Sequence, residues 1–350
     1  MEPSGYVPRE MRIGLGTTYR SDMGLVFRSP KTQETCLMFA LSDIDGTLNN
    51  EHVSESERIH TIAPACEAIN ALQSYGVLVG MCTARANGEA EMYARAVRGR
   101  GFVISENGAC TSYPGGTPVT IGDMREIREC VAAIETALGR SVVSTLDVTA
   151  LESRWRDQVM ARRERSGVDI PAQEDDLGHS TLEELRISAA RVASAYLSGL
   201  APAEREVASS IARAHGFRPF GDLLHLINRR ADKGVALDAL CERLLGEEHL
   251  VSDTSGARMN VRLDRVTPIV FGNGENDLPL FASAIERGGY GVLVADPVEV
   301  HGFHFDLRAQ PPHPHTLITH GAPFGHGIKA AVPELVSRVR DRYGILLAAR

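Results

Sequence analysis

From Cys36 onward the hydrophobic positions fall into short continuous runs separated by amphipathic stretches. "CLMFALSD" reads as a strand buried on both faces, since its apolar residues run without alternation. In "TIAPACEAINALQSYG", Ile62, Cys66, Ile69 and Leu72 recur on one helical face, which closes at Gly76. "GVLVGMC" predicts a second buried strand, "ANGEAEMYARAVRGRG" a second helix and "FVISENGA" a third strand. Strands alternating with helices in this order predict an α/β fold with a Rossmann-like, doubly wound parallel sheet.

The alternation then breaks. "CTSYPGGTPVTIG" is turn-rich and suits a hairpin, "DMREIRECVAAIETAL" is an amphipathic helix, and residues 140–180 are charged without a clear period. "TLEELRISAARVASAYLSGL" and "PAEREVASSIARAHG" read as two helices and "LLHLIN" as a short strand. Alternation resumes with "KGVALDALCERLL", "VTPIVFG", "ENDLPLFASAIERG" and "YGVLVAD". The expected organisation is a core of residues 36–110 and 226–350, interrupted by an inserted α+β module over 111–225. Residues 1–35, with Pro, Gly, Ser and charges in weak periodicity, read as an irregular lead-in.

With 350 residues and 43% hydrophobic content the chain can bury a substantial core. A net charge of −8 argues against extended nucleic-acid binding. No run approaches the roughly 20 apolar residues of a membrane span, and the N-terminus lacks the apolar centre of a signal peptide. The expectation is a cytoplasmic protein, monomer or homodimer, whose partner is a small molecule. Six cysteines without a C-x-x-C pair read as reduced thiols. His301, His304, His313, His315, His320 and His326 are irregularly spaced around a Pro-rich stretch and do not read as a transition-metal site.

In a parallel sheet, ligands bind beyond the carboxyl ends of the strands. Four strand ends carry notable chemistry: Asp43-Ile44-Asp45-Gly46-Thr47, Thr83-Ala84-Arg85, Lys233-Gly234, and Gly272-Asn273-Gly274-Glu275-Asn276-Asp277. Two carboxylates one residue apart at the mouth of a buried strand repel each other and call for a compensating cation. Together the four places hold an oxygen nucleophile, a proton donor, a hydroxyl, an ammonium and an oxygen-rich pocket for a hard metal ion, the parts phosphoryl transfer demands. Taken singly, each also has a structural explanation as a helix cap, a surface charge or a polar turn.

In this order and spacing, "DIDGT", "CTAR", "DKG" and "GNGEND" resemble the haloacid dehalogenase-like superfamily of aspartate-nucleophile phosphotransferases, with the insert resembling that superfamily's α/β cap. Within it, "SENGACTSYPGG", "LLHLINRRADKGVAL", "GENDLPLF" and "GAPFGHGIKAAVPEL" are most similar to mannosyl-3-phosphoglycerate phosphatases and their glucosyl-handling kin, whereas the cap matches poorly. The resemblance implies that Asp43 is the nucleophile and forms an aspartyl-phosphate, and that Asp45 is the general acid and base. It makes Thr83 and Lys233 catalytic partners. It places Ile44, Gly46, Thr47, Ala84, Arg85 and Asn276 at the phosphate and substrate, with Asn107 and His225 as further substrate contacts. It also implies Mg²⁺ held by Asp43, Asp45, Asn273 and Asp277. Asn273 stands where the superfamily usually has an aspartate, which removes one negative charge and implies weaker metal binding. The expected activity is a Mg²⁺-dependent phosphomonoesterase acting on a small phosphorylated sugar, polyol or glycosyl-3-phosphoglycerate. A mutase or phosphotransferase on the same scaffold and a non-catalytic binding module stay open as alternatives.

Overall fold

The computed structural model describes residues 17–48, 55–114, 116–166, 182–220, 224–253, 255–295, 314–320, 322 and 324–345. The elements begin with β1 (Thr17–Arg20), β2 (Leu25–Arg28), β3 (Thr35–Ser42), α1 (Glu55–Ser74), β4 (Leu78–Cys82), α2 (Asn87–Ala96) and β5 (Val103–Ser105). They continue with β6 (Cys110–Ser112), β7 (Val119–Thr120), α3 (Met124–Leu138), β8 (Val143–Ser144), α4 (Val148–Ser166), α5 (Leu182–Ala189), β9 (Ser194–Ser198), α6 (Pro202–Ala214), β10 (Phe217–Phe220) and β11 (Leu224–Asn228). The remainder forms α7 (Lys233–Gly246), β12 (Glu248–Ser252), β13 (Arg258–Arg262), β14 (Arg265–Gly272), α8 (Leu278–Glu286), β15 (Tyr290–Ala295), β16 (Thr316–His320) and α9 (Phe324–Tyr343). The chain divides into two compact units, one of residues 1–81, 95–102 and 237–350 and the other of 82–94 and 103–236.

The first unit is built on the expected parallel sheet. β4, β3, β14, β15 and β16 lie side by side, every neighbouring pair parallel. β3 and β14 are buried at all but their first residue, as their unbroken apolar runs require. Phe39 of β3 meets Phe102 edge to face at 5.0 Å.

Residues 17–35 depart from the sequence reading. β1 and β2 form an antiparallel hairpin, and β2 pairs with the first half of β3 while β4 takes the second half of the same edge. The signal is short but physical: Leu25, Val26 and Phe27 are all buried, and Phe27 packs on Tyr343 at 5.2 Å. A second unpredicted hairpin, β12–β13, joins β1 antiparallel. The sequence reading of residues 1–16 and of His301, His304 and His313 lies outside the described residues.

The second unit contains an antiparallel sheet in the order β10-β11-β9-β8. Strand alternation divides β9: Ala195 and Leu197 join Ile127, Ile134, Ala208 and Phe217 in the core under α3 and α6, so Ser194 and Tyr196 take the opposite face. "TLEELRISAARVASAYLSGL" is therefore not one helix. It gives α5, ending at Ala189, and then β9. "FVISENGA" is also shorter than expected, because β5 stops at Ser105 and β6 returns antiparallel to it. Glu106, Asn107 and Gly108 between them have φ of 53°, 54° and 91°, a left-handed turn that no strand can continue through. Among the described residues no helix is long and apolar enough to cross a membrane.

Candidate active site

Of the residues singled out in the sequence, Asp43, Ile44, Asp45, Gly46, Thr47, Asn273, Asn276 and Asp277 belong to the first unit, and Thr83, Ala84, Arg85, Asn107, His225 and Lys233 to the second.

In the first unit the parallel ladder runs straight into the aspartate pair. Asp43 N–H donates to Phe271 O at 2.9 Å, one step beyond the Phe271–Ser42 pairing of β14 with β3. Asp43 is thereby held in the sheet's hydrogen-bond frame at 4% exposure. The chain then turns, with the N–H groups of Thr47 and Leu48 both donating to Ile44 O. Ile44 is fully buried and fills the core, while Asp45 stays half-buried. Gly46 sits at φ 74°, and a Cβ there would lie 1.9 Å from Asn273 Nδ2. Glycine is therefore required twice over, for the left-handed backbone and for the side chain stacked on it.

Asn273 is fixed from its other side by the Thr47 hydroxyl, which donates to Asn273 Oδ1 at 3.0 Å. Thr47 is fully buried, so its hydroxyl serves this loop. Asp277 is also fully buried, and its Oδ2 accepts from the N–H groups of Asn273 and Gly274, both at 3.0 Å. Asn276 is half-buried, and its Oδ1 closes over Gly274. The "GNGEND" stretch is thus a turn organised around the Asp277 carboxylate, with the Asn273 amide presented to the Asp43–Thr47 turn.

In the second unit Thr83 N–H donates to Ile104 O, and Thr83 O accepts from Asn107 N–H. The buried Thr83 Oγ1 accepts from Arg85 N–H at 3.3 Å. Ala84 offers its carbonyl to Arg191 Nη1 at 3.1 Å. The Arg85 guanidinium pairs with Glu89 at 3.4 Å and lies 4.9 Å from the Tyr93 ring centroid. Lys233 opens α7 at 1% exposure, and Asp232 caps that helix by accepting from Val235 N–H at 2.7 Å. An ammonium so deeply buried demands an anion against it. The left-handed turn touches this helix start, since a Cβ on Gly108 would lie 2.1 Å from Asp232 O and 2.8 Å from Lys233 N.

Sequence reasoning missed a buried polar group around His225 and Asn107. Arg191 Nη1 contacts Ser194 Oγ at 3.1 Å and His225 Nε2 at 3.4 Å. Glu106 accepts from Val192 N–H, Ala193 N–H and the Ser194 hydroxyl at 2.7–3.0 Å. His225 stacks on Tyr196 at 4.1 Å, and burial, then the guanidiniums of Arg191 and Arg218, hold it neutral, well below the usual histidine range. The Ala-Ser-Ala-Tyr-Leu-Ser alternation was the available signal for a strand here.

A family profile described as haloacid dehalogenase-like hydrolase matches residues 40–251. The chain belongs to this family. The fold is similar to that of a solved Thermoplasma acidophilum protein at TM-score 0.51 and 15% identity, covering 85% of this chain and 97% of that one. It is also similar to a Thermotoga maritima protein at TM-score 0.50 and 16% identity, covering 85% and 96%. A haloacid dehalogenase-like hydrolase from Bacteroides thetaiotaomicron aligns at TM-score 0.49 and 18% identity, covering 85% and 99%. No curated protein matches the chain.

Proposed function

We propose that this haloacid dehalogenase-like hydrolase is a phosphomonoesterase acting on a small phosphorylated sugar, polyol or glycosyl-glycerate. The observation that carries the reading is Asp43, a carboxylate buried at the end of the central strand of a chain of this family. Its backbone is locked in the ladder, which supports its use as a nucleophile delivered in one orientation. Asp45, two residues on and half-buried, is the proton donor to the leaving oxygen and then the base for water. The family resemblance assigns Thr83 and Lys233, both in the second unit, the hydroxyl and the ammonium that phosphoryl transfer uses.

The family relationship implies a magnesium ion, and the donors in the first unit fit a hard cation: Asp43 and Asp45 supply carboxylates and Asn273 an amide oxygen, with neither nitrogen nor sulfur among them. The set carries less charge than an all-carboxylate one, because Asn273 is neutral and Asp277 is engaged with two backbone N–H groups of its own turn. Among the described residues no three His, Cys, Asp or Glu side chains form a metal cluster. When bound, such an ion offsets the charge of the carboxylates and of the substrate phosphate.

The test is phosphate release by the full chain from a panel of sugar, polyol and glycerate phosphates, with and without Mg²⁺. Asp43→Asn should reduce release to background while circular dichroism and Trp155 fluorescence stay those of the wild type. Turnover by Asp43→Asn at the wild-type rate refutes the assignment. An isomerised sugar phosphate in place of free phosphate makes the chain a mutase.

A further inference from the structure

One edge of β3 is shared, and the sheet forks where its two partners meet. Leu25, the first residue of β2, pairs with Met38, and Leu78, the first residue of β4, pairs with Phe39. Two strands therefore begin at the same level on the same edge, and both chains have to enter the sheet there. Each enters beside a glycine of positive φ: Gly24, at 148°, precedes Leu25, and Gly76, at 86°, stands two residues before Leu78. A Cβ on Gly24 would lie 2.4 Å from Met38 O, so this entry tolerates no side chain.

A cavity of about 490 Å³ lies at this fork, and all its lining residues belong to the first unit. That is the size of a small-molecule site. Asp43 is elsewhere in the sheet, roughly 16 Å further along β3 from Met38 at about 3.3 Å per residue. The cavity has walls of three kinds. Tyr19, Leu25, Leu78 and Leu250 make an apolar side, with Leu250 left 57% exposed. Ser21 and Ser252 supply hydroxyls and Asp22 a carboxylate. Arg100 and Arg258 supply two guanidiniums, and neither has an ion-pair partner among the described residues. Their backbones are fixed: Arg100 N–H donates to Val79 O at 3.0 Å, and Arg258 pairs in register with Ser252 across β12 and β13.

Two positive groups against one negative call for an anion, and guanidiniums suit the oxygens of a phosphate. A bare phosphate would leave the tyrosine and the leucines wet, so the anion needs an apolar or aromatic body. The Asp22 carboxylate, an acceptor only, suits hydroxyls on that body. We infer that the fork between β2 and β4 is a binding site for a nucleoside monophosphate. Its base lies against Tyr19 and the leucines, its sugar hydroxyls face Asp22, and its phosphate is held by Arg100 and Arg258. The site is separate from Asp43 and does not depend on the reaction assigned there.

The experiment titrates the full chain, without Mg²⁺, with the monophosphates of adenosine, guanosine, cytidine and uridine, with the parent nucleosides and with inorganic phosphate. Calorimetry should show at least one monophosphate binding more tightly than both its nucleoside and phosphate. That ligand should slow hydrogen exchange in residues 19–25 and 250–258. Arg100→Gln and Arg258→Gln should each weaken it about threefold, as exposed partners in water do, and together about tenfold. Leu250→Glu, at a side chain already exposed, puts a charge on the apolar wall and should weaken it too. No binding by any of the four monophosphates at millimolar concentration overturns the inference, and this arm needs no variant to fold. Wild-type affinity in the folded double variant also overturns it. So does exchange protection confined to residues 43–48 and 273–277, which would put the nucleotide at the Asp43 turn instead.

Discussion

Gly108 couples the left-handed turn of residues 106–108 to the start of α7, and Gly108→Ala tests whether that contact is as tight as it looks. At φ 91° an L-residue is strained before any contact is considered, at about 1–2 kcal/mol. The new Cβ would then lie 2.1 Å from Asp232 O and 2.3 Å from Asp232 C. These are backbone atoms that no rotamer change can move, so the helix start must shift, at a further cost of about 1–3 kcal/mol. Gly139→Ala is the control: it has φ 65° in the same unit and nothing within 4 Å of a Cβ, so only the backbone cost of about 1–2 kcal/mol applies. Trp155 is the chain's one tryptophan and packs on Leu151, Leu185 and Ala189 in this same unit, so urea unfolding followed by its fluorescence reads the right part of the molecule. Gly108→Ala should be the less stable variant by about 1–3 kcal/mol. Hydrogen exchange should speed up at Ala236 N–H, whose acceptor is the displaced Asp232 O. Equal destabilisation by the two substitutions, with Ala236 exchange unchanged, refutes the reasoning.

Two further predictions concern titrating groups. The Arg140 guanidinium, through a two-pronged pair at 2.6 and 2.9 Å, and then the Ala201 N–H hold the Glu204 carboxyl down at about 2, from an ordinary 4.5. A depressed carboxylate stabilises the fold above its unfolded pKa and loses that contribution as pH falls through the folded one. The melting-temperature gap between wild type and Glu204→Gln should therefore be full at neutral pH and shrink as pH drops from 4.5 toward 2; a gap unchanged at about pH 3 contradicts it. Among the thiols, burial pushes Cys36 and Cys241 up to about 12 and Cys110 and Cys130 up to about 11, Cys82 is buried, and Cys66 alone is half-buried. A disulfide reagent at mild alkaline pH should label Cys66 first, with the others following only on unfolding; early labelling of Cys36 or Cys241, found by peptide mapping, contradicts the burial.

What was legible in the sequence was what periodicity encodes strongly. "CLMFALS" and "VTPIVFG" announced β3 and β14 because a strand buried on both faces needs an unbroken apolar run, and α3 and α6 carried clear helical faces. The hairpins at 17–28 and 248–262 left weaker traces, since β13 is mostly exposed and β2 has only three buried residues, too few for a period to show. β9 was lost for another reason. Ala, Ser and Leu suit helix and strand alike, and no Gly or Pro between Leu182 and Ser198 marked the break. Arg191, at that break, was hidden with it.

Spacing also cannot say what a carboxylate does once it is buried. Asp43 and Asp277 both follow a buried strand and both are buried in the first unit, yet the structure treats them differently. Asp277 Oδ2 faces back along the chain and gathers the two N–H groups of residues 273 and 274, so its charge is used to close a turn. Asp43 is held by its main chain, through Phe271 O and the Ser42 hydroxyl on its own carbonyl. A backbone fixed in this way sets where the side chain leaves the end of the strand. Local closure is the physical ground for giving Asp277 the task of shaping the loop that carries Asn273.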